Sequence, residues 1–150
     1  MGSLLDRVTE FLTREGLEYR RMRDVDAVEM GVAGDNGNYR VVIVCDQDRP
    51  GVRFLTFVEG RVPATRRREA IEFITRANYG LLVGNFEFDL DDGEVRFKAA
   101  GDFEDGDMNH SQFRNVLFLS VSMVDRYFPG LQSVIQGSSD AAAAIAEIEQ

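Results

Sequence analysis

The sequence predicts a single α+β domain: an antiparallel sheet packed against helices in the order α-β-β-β-α-β-β-α. Three observations carry this reading. Apolar residues recur at helical spacing in three segments, they alternate with period two in five others, and turns rich in Gly, Asp and Asn separate the segments. At 150 residues, 44% hydrophobic and 29% charged, the chain has the length and balance of one domain, 1–150, around one core, with 141–150 as a mobile tail.

Each element has a local reason. Ser3 with Asp6 three residues later forms a capping-box pattern, and Leu4, Leu5, Val8, Phe11 and Leu12 keep helical spacing until Gly16, which places a helix over about 4–15. Val28, Met30 and Val32 then alternate. The turn Ala33-Gly34-Asp35-Asn36-Gly37 leads into a strand over Tyr39–Cys45, and Arg49-Pro50-Gly51 precedes a third strand, Val52–Val58. A second helix is expected from Arg66 to about Tyr79, with Ala70, Ile71, Ile74 and Ala77 as its buried stripe and Phe73 beside that stripe.

A hairpin follows. Phe86, Phe88 and Leu90 alternate with polar residues, Asp92-Gly93 reads as a two-residue turn, and Val95, Phe97 and Ala99 return. This phase puts Phe86, Phe88, Val95 and Phe97 on one buried face near Ile74 and Leu117. A long helix runs from about Ser111 to Gln136, with Phe113, Leu117, Ser120, Val124, Tyr127, Leu131 and Val134 as its stripe, and Pro129 is expected to kink or split it near Phe128. Ala141–Ile148 reads as a short Ala-rich helix.

The charge narrows the partners. With 26 acidic and 17 basic residues, a net charge of -9, the chain repels phosphate backbones and anionic headgroups, so neither nucleic acid nor a membrane surface is expected. The apolar run Val116 to Val124 is too short to span a bilayer, and Met1-Gly2 lacks the Ser or Thr at position 6 that myristoylation wants. One cysteine and no visible leader predict a cytoplasmic protein.

No residue set carries catalysis, and no cofactor or metal is expected in folding. His110, near Asp105, Asp107 and Asn109, is the only histidine and cannot complete a usual zinc set. Placing Gly106 or Gly93 at the turn of a calcium loop puts Gly101 and Phe103, or Phe88 and Leu90, where acidic ligands belong. Asp89, Asp91, Asp92 and Glu94 read as solvated turn charges, and Gly31, Gly34 and Gly37 as hairpin glycines without phosphate-loop spacing. Cys45 is in phase with Val41 and Ile43, hence a buried thiol. Arg66-Arg67-Arg68, with Arg20, Arg21 and Arg23, is the sole basic feature and reads as a solvated face.

The segments Asn78-Tyr79-Gly80, Gly84-Asn85-Phe86-Glu87-Phe88-Asp89, Asp92-Gly93-Glu94-Val95-Arg96-Phe97, Met123-Val124-Asp125-Arg126-Tyr127-Phe128-Pro129-Gly130-Leu131 and Val134-Ile135-Gln136-Gly137 resemble the YbjN family of bacterial proteins. The resemblance covers nearly the whole chain. It implies the fold shared with type III secretion chaperones, small acidic proteins that commonly dimerise and hold segments of partner proteins. The family is labelled as sensory-transduction regulators, and the resemblance brings no catalytic residues.

The expected function is therefore a non-enzymatic module that binds protein partners, as a homodimer. Val42, Val44, Leu55 and Phe57 give the central strands a second apolar face, while Val116, Phe118 and Met123 widen the stripe of the long helix. With Phe73 they form the expected interface. The alternative is a regulatory domain that senses a small ligand in a pocket between sheet and long helix.

Overall fold

The structure, a computed structural model, describes residues 3–46, 48, 51–102 and 109–150. Its helices are α1 (Leu4–Arg14), α2 (Arg67–Asn78), α3 (His110–Gln136) and α4 (Ala141–Ile148). Its strands are β1 (Arg20–Arg21), β2 (Ala27–Ala33), β3 (Asn38–Asp46), β4 (Gly51–Phe57), β5 (Asn85–Phe88) and β6 (Val95–Asp102). All strand pairs are antiparallel, in the order β1-β2-β3-β4-β6-β5. The expected α+β order holds, with the two-residue β1 added at one edge and the Ala-rich helix present as α4.

Ser3 and Asp6 close the capping box on α1: each backbone N–H donates to the other's side chain at 3.1 Å. One core forms between the helices and the inner sheet face, where Val28, Met30, Tyr39, Val41, Ile43, Val52, Phe54, Phe86, Val95 and Phe97 meet Leu12, Val8, Ile74, Phe113 and Leu117. All seven residues of the α3 stripe read from the sequence are buried.

Several local expectations need correction. Phe73, not Ile71, belongs to the stripe of α2: Phe73 is enclosed beside the Tyr127 ring and Ile71 points to solvent. The reason is α4, whose Ala141, Ala144 and Ile145 are buried and which packs against both α2 and α3, so α2 is covered over a wider arc. The β5–β6 hairpin is closed by six residues rather than two. Phe88 pairs with Val95, the Asp89 N–H donates to the Glu94 carbonyl, and the Gly93 N–H donates back to the Asp89 carbonyl. Leu90 consequently lies outside the strand, exposed. Gly93 adopts φ +83° and its site abuts the Val62 backbone, so both the turn and the close approach require glycine there.

Of the two outcomes expected at Pro129, a kink or a split, the split is absent: Pro129 sits inside a continuous α3. Proline has no N–H for the carbonyl four residues earlier, which is that of Asp125. That carbonyl instead accepts from the Asn36 side chain at 2.9 Å. The β2–β3 turn thus supplies the donor that the helix lacks.

Phe86, Val95 and Phe97 are buried together as expected, but Phe88, near the end of its strand, is only partly so. Phe88→Ala is expected to cost about 1–2 kcal/mol in urea unfolding, below the ~3–5 kcal/mol of a fully buried Phe. A cost equal to that of Phe97→Ala would show that the edge of the hairpin is packed as tightly as its centre.

Candidate functional site

The sheet's inner face is covered by helices, and among the described residues no helix packs on its outer face. Strand alternation sends Ala27 and Glu29 of β2, Arg40, Val42 and Val44 of β3, Arg53, Leu55 and Phe57 of β4, Arg96 and Lys98 of β6 and Glu87 of β5 to this outer side. Ala27, Val42 and Leu55 form a cluster separate from the main core. Met22, Val44 and Phe57 pack against it, and no helix contributes a residue.

Val42 and Leu55 are nevertheless only 5% and 6% exposed. Met22, Val44 and Phe57, packed against the cluster, leave them little open surface. The Arg40 guanidinium lies 5.0 Å over the Phe57 ring. Glu29 pairs with Arg20 and with Arg40, the latter at 3.1 Å, and across the sheet Glu87 pairs with Arg96 at 2.7 Å and Lys98 at 2.9 Å. Arg53 and Asp46 make a further pair with two contacts of 3.1 Å. Burial opposes the charge on Glu87, but the hydrogen bonds from Lys98 and Arg96 outweigh it and hold its carboxyl below the ordinary range. The result is an apolar centre bounded by charged groups.

The eight residues expected at one interface therefore divide. Val42, Val44, Leu55 and Phe57 share the outer sheet face. Val116, Phe118 and Met123 belong to α3, on the opposite side of the sheet, where Val116 and Met123 pack against the main core and Phe118, 39% exposed, lies beside the equally outward Leu119. Phe73 belongs to neither surface, because it is enclosed within the chain. One flat contact cannot contain both groups.

The segments that carried the resemblance work in the scaffold. Asn78, the last residue of α2, accepts from the Phe86 N–H at 2.7 Å and donates to the Phe86 carbonyl at 3.0 Å, so its side-chain amide stands in for a neighbouring strand along β5. Asp125 accepts from the N–H groups of Asp35 and Asn36 at 3.0 and 2.8 Å and from the Tyr39 hydroxyl at 2.7 Å. Burial opposes its charge, and these three donors still keep its carboxyl below the ordinary range, while burial and the same carboxylate push the Tyr39 hydroxyl up. A side chain at Gly34 would strike the Asp125 carboxylate, and one at Gly37 would come within 2.9 Å of the Phe128 ring.

The remaining candidates have structural explanations. Cys45 is buried, and that burial, followed by the carboxylates of Asp26 and Asp46, pushes its thiol up to about 11, which keeps it a protonated core group. His110 Nε2 lies 2.6 Å from a Glu15 oxygen, pinning the start of α3 to the end of α1; Asp105 and Asp107 lie outside the described residues. Among the described residues no three His, Cys, Asp or Glu side chains are grouped to hold a metal ion. Arg66 is not simply solvated: it donates twice to the Val134 carbonyl, at 3.0 and 2.6 Å, and so caps α3. Arg67 bridges the carbonyls of Val62, Leu90 and Asp91. These roles join segments distant in sequence, and no local pattern announced them.

Two cavities bear on ligand binding. An open groove of about 990 Å³ lies at the end of the sheet between Tyr19, Met30, Val32, Tyr39 and Phe57. The space between α3 and the sheet end, lined by Val62, Val95, Phe128 and Leu131, is only about 200 Å³, below the ~300 Å³ at which small-molecule pockets begin. Among the described residues no helix is long and apolar enough to cross a membrane.

Comparison with known proteins now has a fold to attach to. The sequence model of the YbjN family, described as "Putative bacterial sensory transduction regulator", matches residues 4–133. The crystal structure of YbjN, described as "a putative transcription regulator from E. coli", is similar at TM-score 0.59 and 12% identity, over 91% of this chain and 92% of that one. At that identity the likeness is one of fold. No curated protein matches. The family match spans both scaffold devices, the Asn78 clamp on β5 and the Asp125 seat for the β2–β3 turn, and on that match the chain belongs to the YbjN family.

Proposed function

We propose that the chain is a non-enzymatic protein-binding module of a regulatory system, which holds a segment of a partner protein on the outer face of its sheet. The observation that carries this reading is the apolar cluster around Val42 and Leu55, on a sheet face to which no helix of the described chain contributes. Holding a partner segment is also what a type III secretion chaperone-like fold, the one the YbjN resemblance implies, would suggest. A cytoplasmic location belongs to the same reading, and nucleic acid does not, given the net charge of -9.

Homodimerisation is a second, separable part of the reading, favoured by the exposed Phe118 and Leu119 on the far side of α3. Ligand sensing in a pocket under α3 has less support, because the space there is small. A paired experiment tests the module and the dimer. Val44→Asp with Phe57→Asp, kept folded by the circular dichroism criterion, is expected to lose the proteins that wild type captures from lysate. Phe118→Asp is expected to keep them while lowering the mass seen by light scattering. Capture unchanged by the sheet-face variant removes the binding face, and a wild-type monomer at micromolar concentration removes the dimer.

A further inference from the structure

We infer that the partner segment is held in extended form, as a strand added to β2 at Gly31–Ala33, with an aromatic residue over Gly31 and basic residues at its ends. The inference rests on the proposed role of this side of the sheet and adds the shape and chemistry of the occupant.

The backbone selects an extended chain. The Cys45 N–H donates to the Asp26 carbonyl and the Gly34 N–H to the Gly37 carbonyl, both at 2.8 Å, so the even-numbered positions of β2 are the ones that exchange hydrogen bonds with β3. Glu29, Gly31 and Ala33 therefore turn their N–H and C=O groups away from β3. β1 meets Glu29 through Arg20 and goes no further. The N–H and carbonyl groups of Gly31 and Ala33 are left without a protein partner among the described residues. Both residues are exposed, and beside them lies the open groove of about 990 Å³, bounded on its other side by Glu18, Tyr19 and Arg20. A helix bonds its own backbone internally and would leave these groups unmatched. An extended segment in the lane that β1 leaves at Arg20 matches all four.

The side chains select the composition. Gly31, Arg40 and Phe57 stand opposite one another in a row across the outer face. A Cβ at Gly31 would meet nothing within 4 Å, so the row ends in a notch. A large ring on the added strand fills it beside Arg40, a known compensation for a glycine at a sheet edge. Opposite Val32 the added side chain turns to the inner side, where Val32 and Tyr19 are half-buried against the core, and an aliphatic residue fits there. Arg20 and Arg40 are both engaged by Glu29, whereas Glu18 and Glu59, which also line the groove, are exposed and make no ion pair among the described residues. Lysine or arginine on the occupant answers these two carboxylates. A second copy offering its own β2 would bring the same carboxylates with it, in a chain of net charge -9.

Three labelled peptides of about seven residues, an ordinary strand length, provide the probe. Each carries valines and a central tyrosine; one has lysines at both ends, one has glutamates, and one has the lysines but N-methyl groups on the amides that would face β2. With the full chain at about 50 mM salt, where surface charge is weakly screened, the lysine peptide is expected to bind at least about tenfold more tightly than either of the others. It is also expected to slow hydrogen exchange at the Gly31 and Ala33 amides. Glu18→Lys with Glu59→Lys, which changes two exposed side chains, is expected to turn the preference toward the glutamate peptide. Equal binding of the two unmethylated peptides overturns the basic occupant, and equal binding of the N-methylated one overturns strand addition. Failure of the lysine peptide to protect those amides overturns the inference, and leaves the proposed function standing where Val44→Asp with Phe57→Asp still loses the captured proteins. Protection of the same amides on raising protein concentration alone, with growth to a dimer, assigns the edge to a second copy and overturns the inference.

Discussion

Phe113→Ala is expected to lower the unfolding free energy by about 3–5 kcal/mol, the cost of emptying a fully buried aromatic site. Phe113 has no exposed surface, and its ring centre lies 5.1 Å from that of Phe11 and 5.3 Å from that of Phe54. It therefore joins α1, α3 and β4 at one point, next to where His110 meets Glu15. Natural domains hold only about 5–15 kcal/mol in total, so the variant should lie near the edge of folding at 37 °C. Urea titration measures the loss. A midpoint within error of wild type would mean that the three elements are held together elsewhere.

Asp125→Ala is expected to cost about 1–2 kcal/mol, because it removes the charged acceptor of the part-buried Tyr39 hydroxyl and of two exposed backbone N–H groups, which water then meets instead. The pH dependence has a definite sign. The Asp125 carboxyl ionises at lower pH in the folded chain than its ordinary value. Its contribution is complete above the ordinary carboxylate range and is lost as pH falls through the folded value. Wild type and Asp125→Asn should thus differ most near neutral pH and converge in acid. A constant difference across that range would place the effect in packing rather than in the charge.

The sequence made the elements readable wherever the neighbours together enclose one side. The α3 stripe from Phe113 to Val134 holds at every position because the sheet, α2 and α4 jointly cover the side that the periodicity marks. On α2 the same reasoning selected Ile71 over Phe73, since α4 packs from a second direction that helical periodicity does not encode. The Asp89–Glu94 connection reads as a two-residue turn because Asp92-Gly93 is a strong local signal, yet Gly93 serves a contact with Val62, thirty-one positions earlier by residue number. The partners of Asp125 lie 86 to 90 residues away, and no local propensity reports on such pairs. At the candidate site, alternation identified Val42, Val44, Leu55 and Phe57 as a second apolar face. It could not place Phe118 on the other side of the sheet, because that depends on which face α3 selects.

The two borders of the sheet differ in a way that bears on self-association. At β5 the Asn78 amide occupies the outward backbone groups of Phe86, in the middle of a four-residue strand. At the opposite border, β1 covers β2 only at Val28 and Glu29, and among the described residues no backbone hydrogen bond reaches Gly31 or Ala33 from that side. Growth of a fibre by strand addition needs a donor edge and an acceptor edge on every copy, so that each arrival exposes the next. A chain with one obstructed edge would have a terminus instead: two molecules that met at β2 would use up the open border of both, and strand addition would stop at a pair.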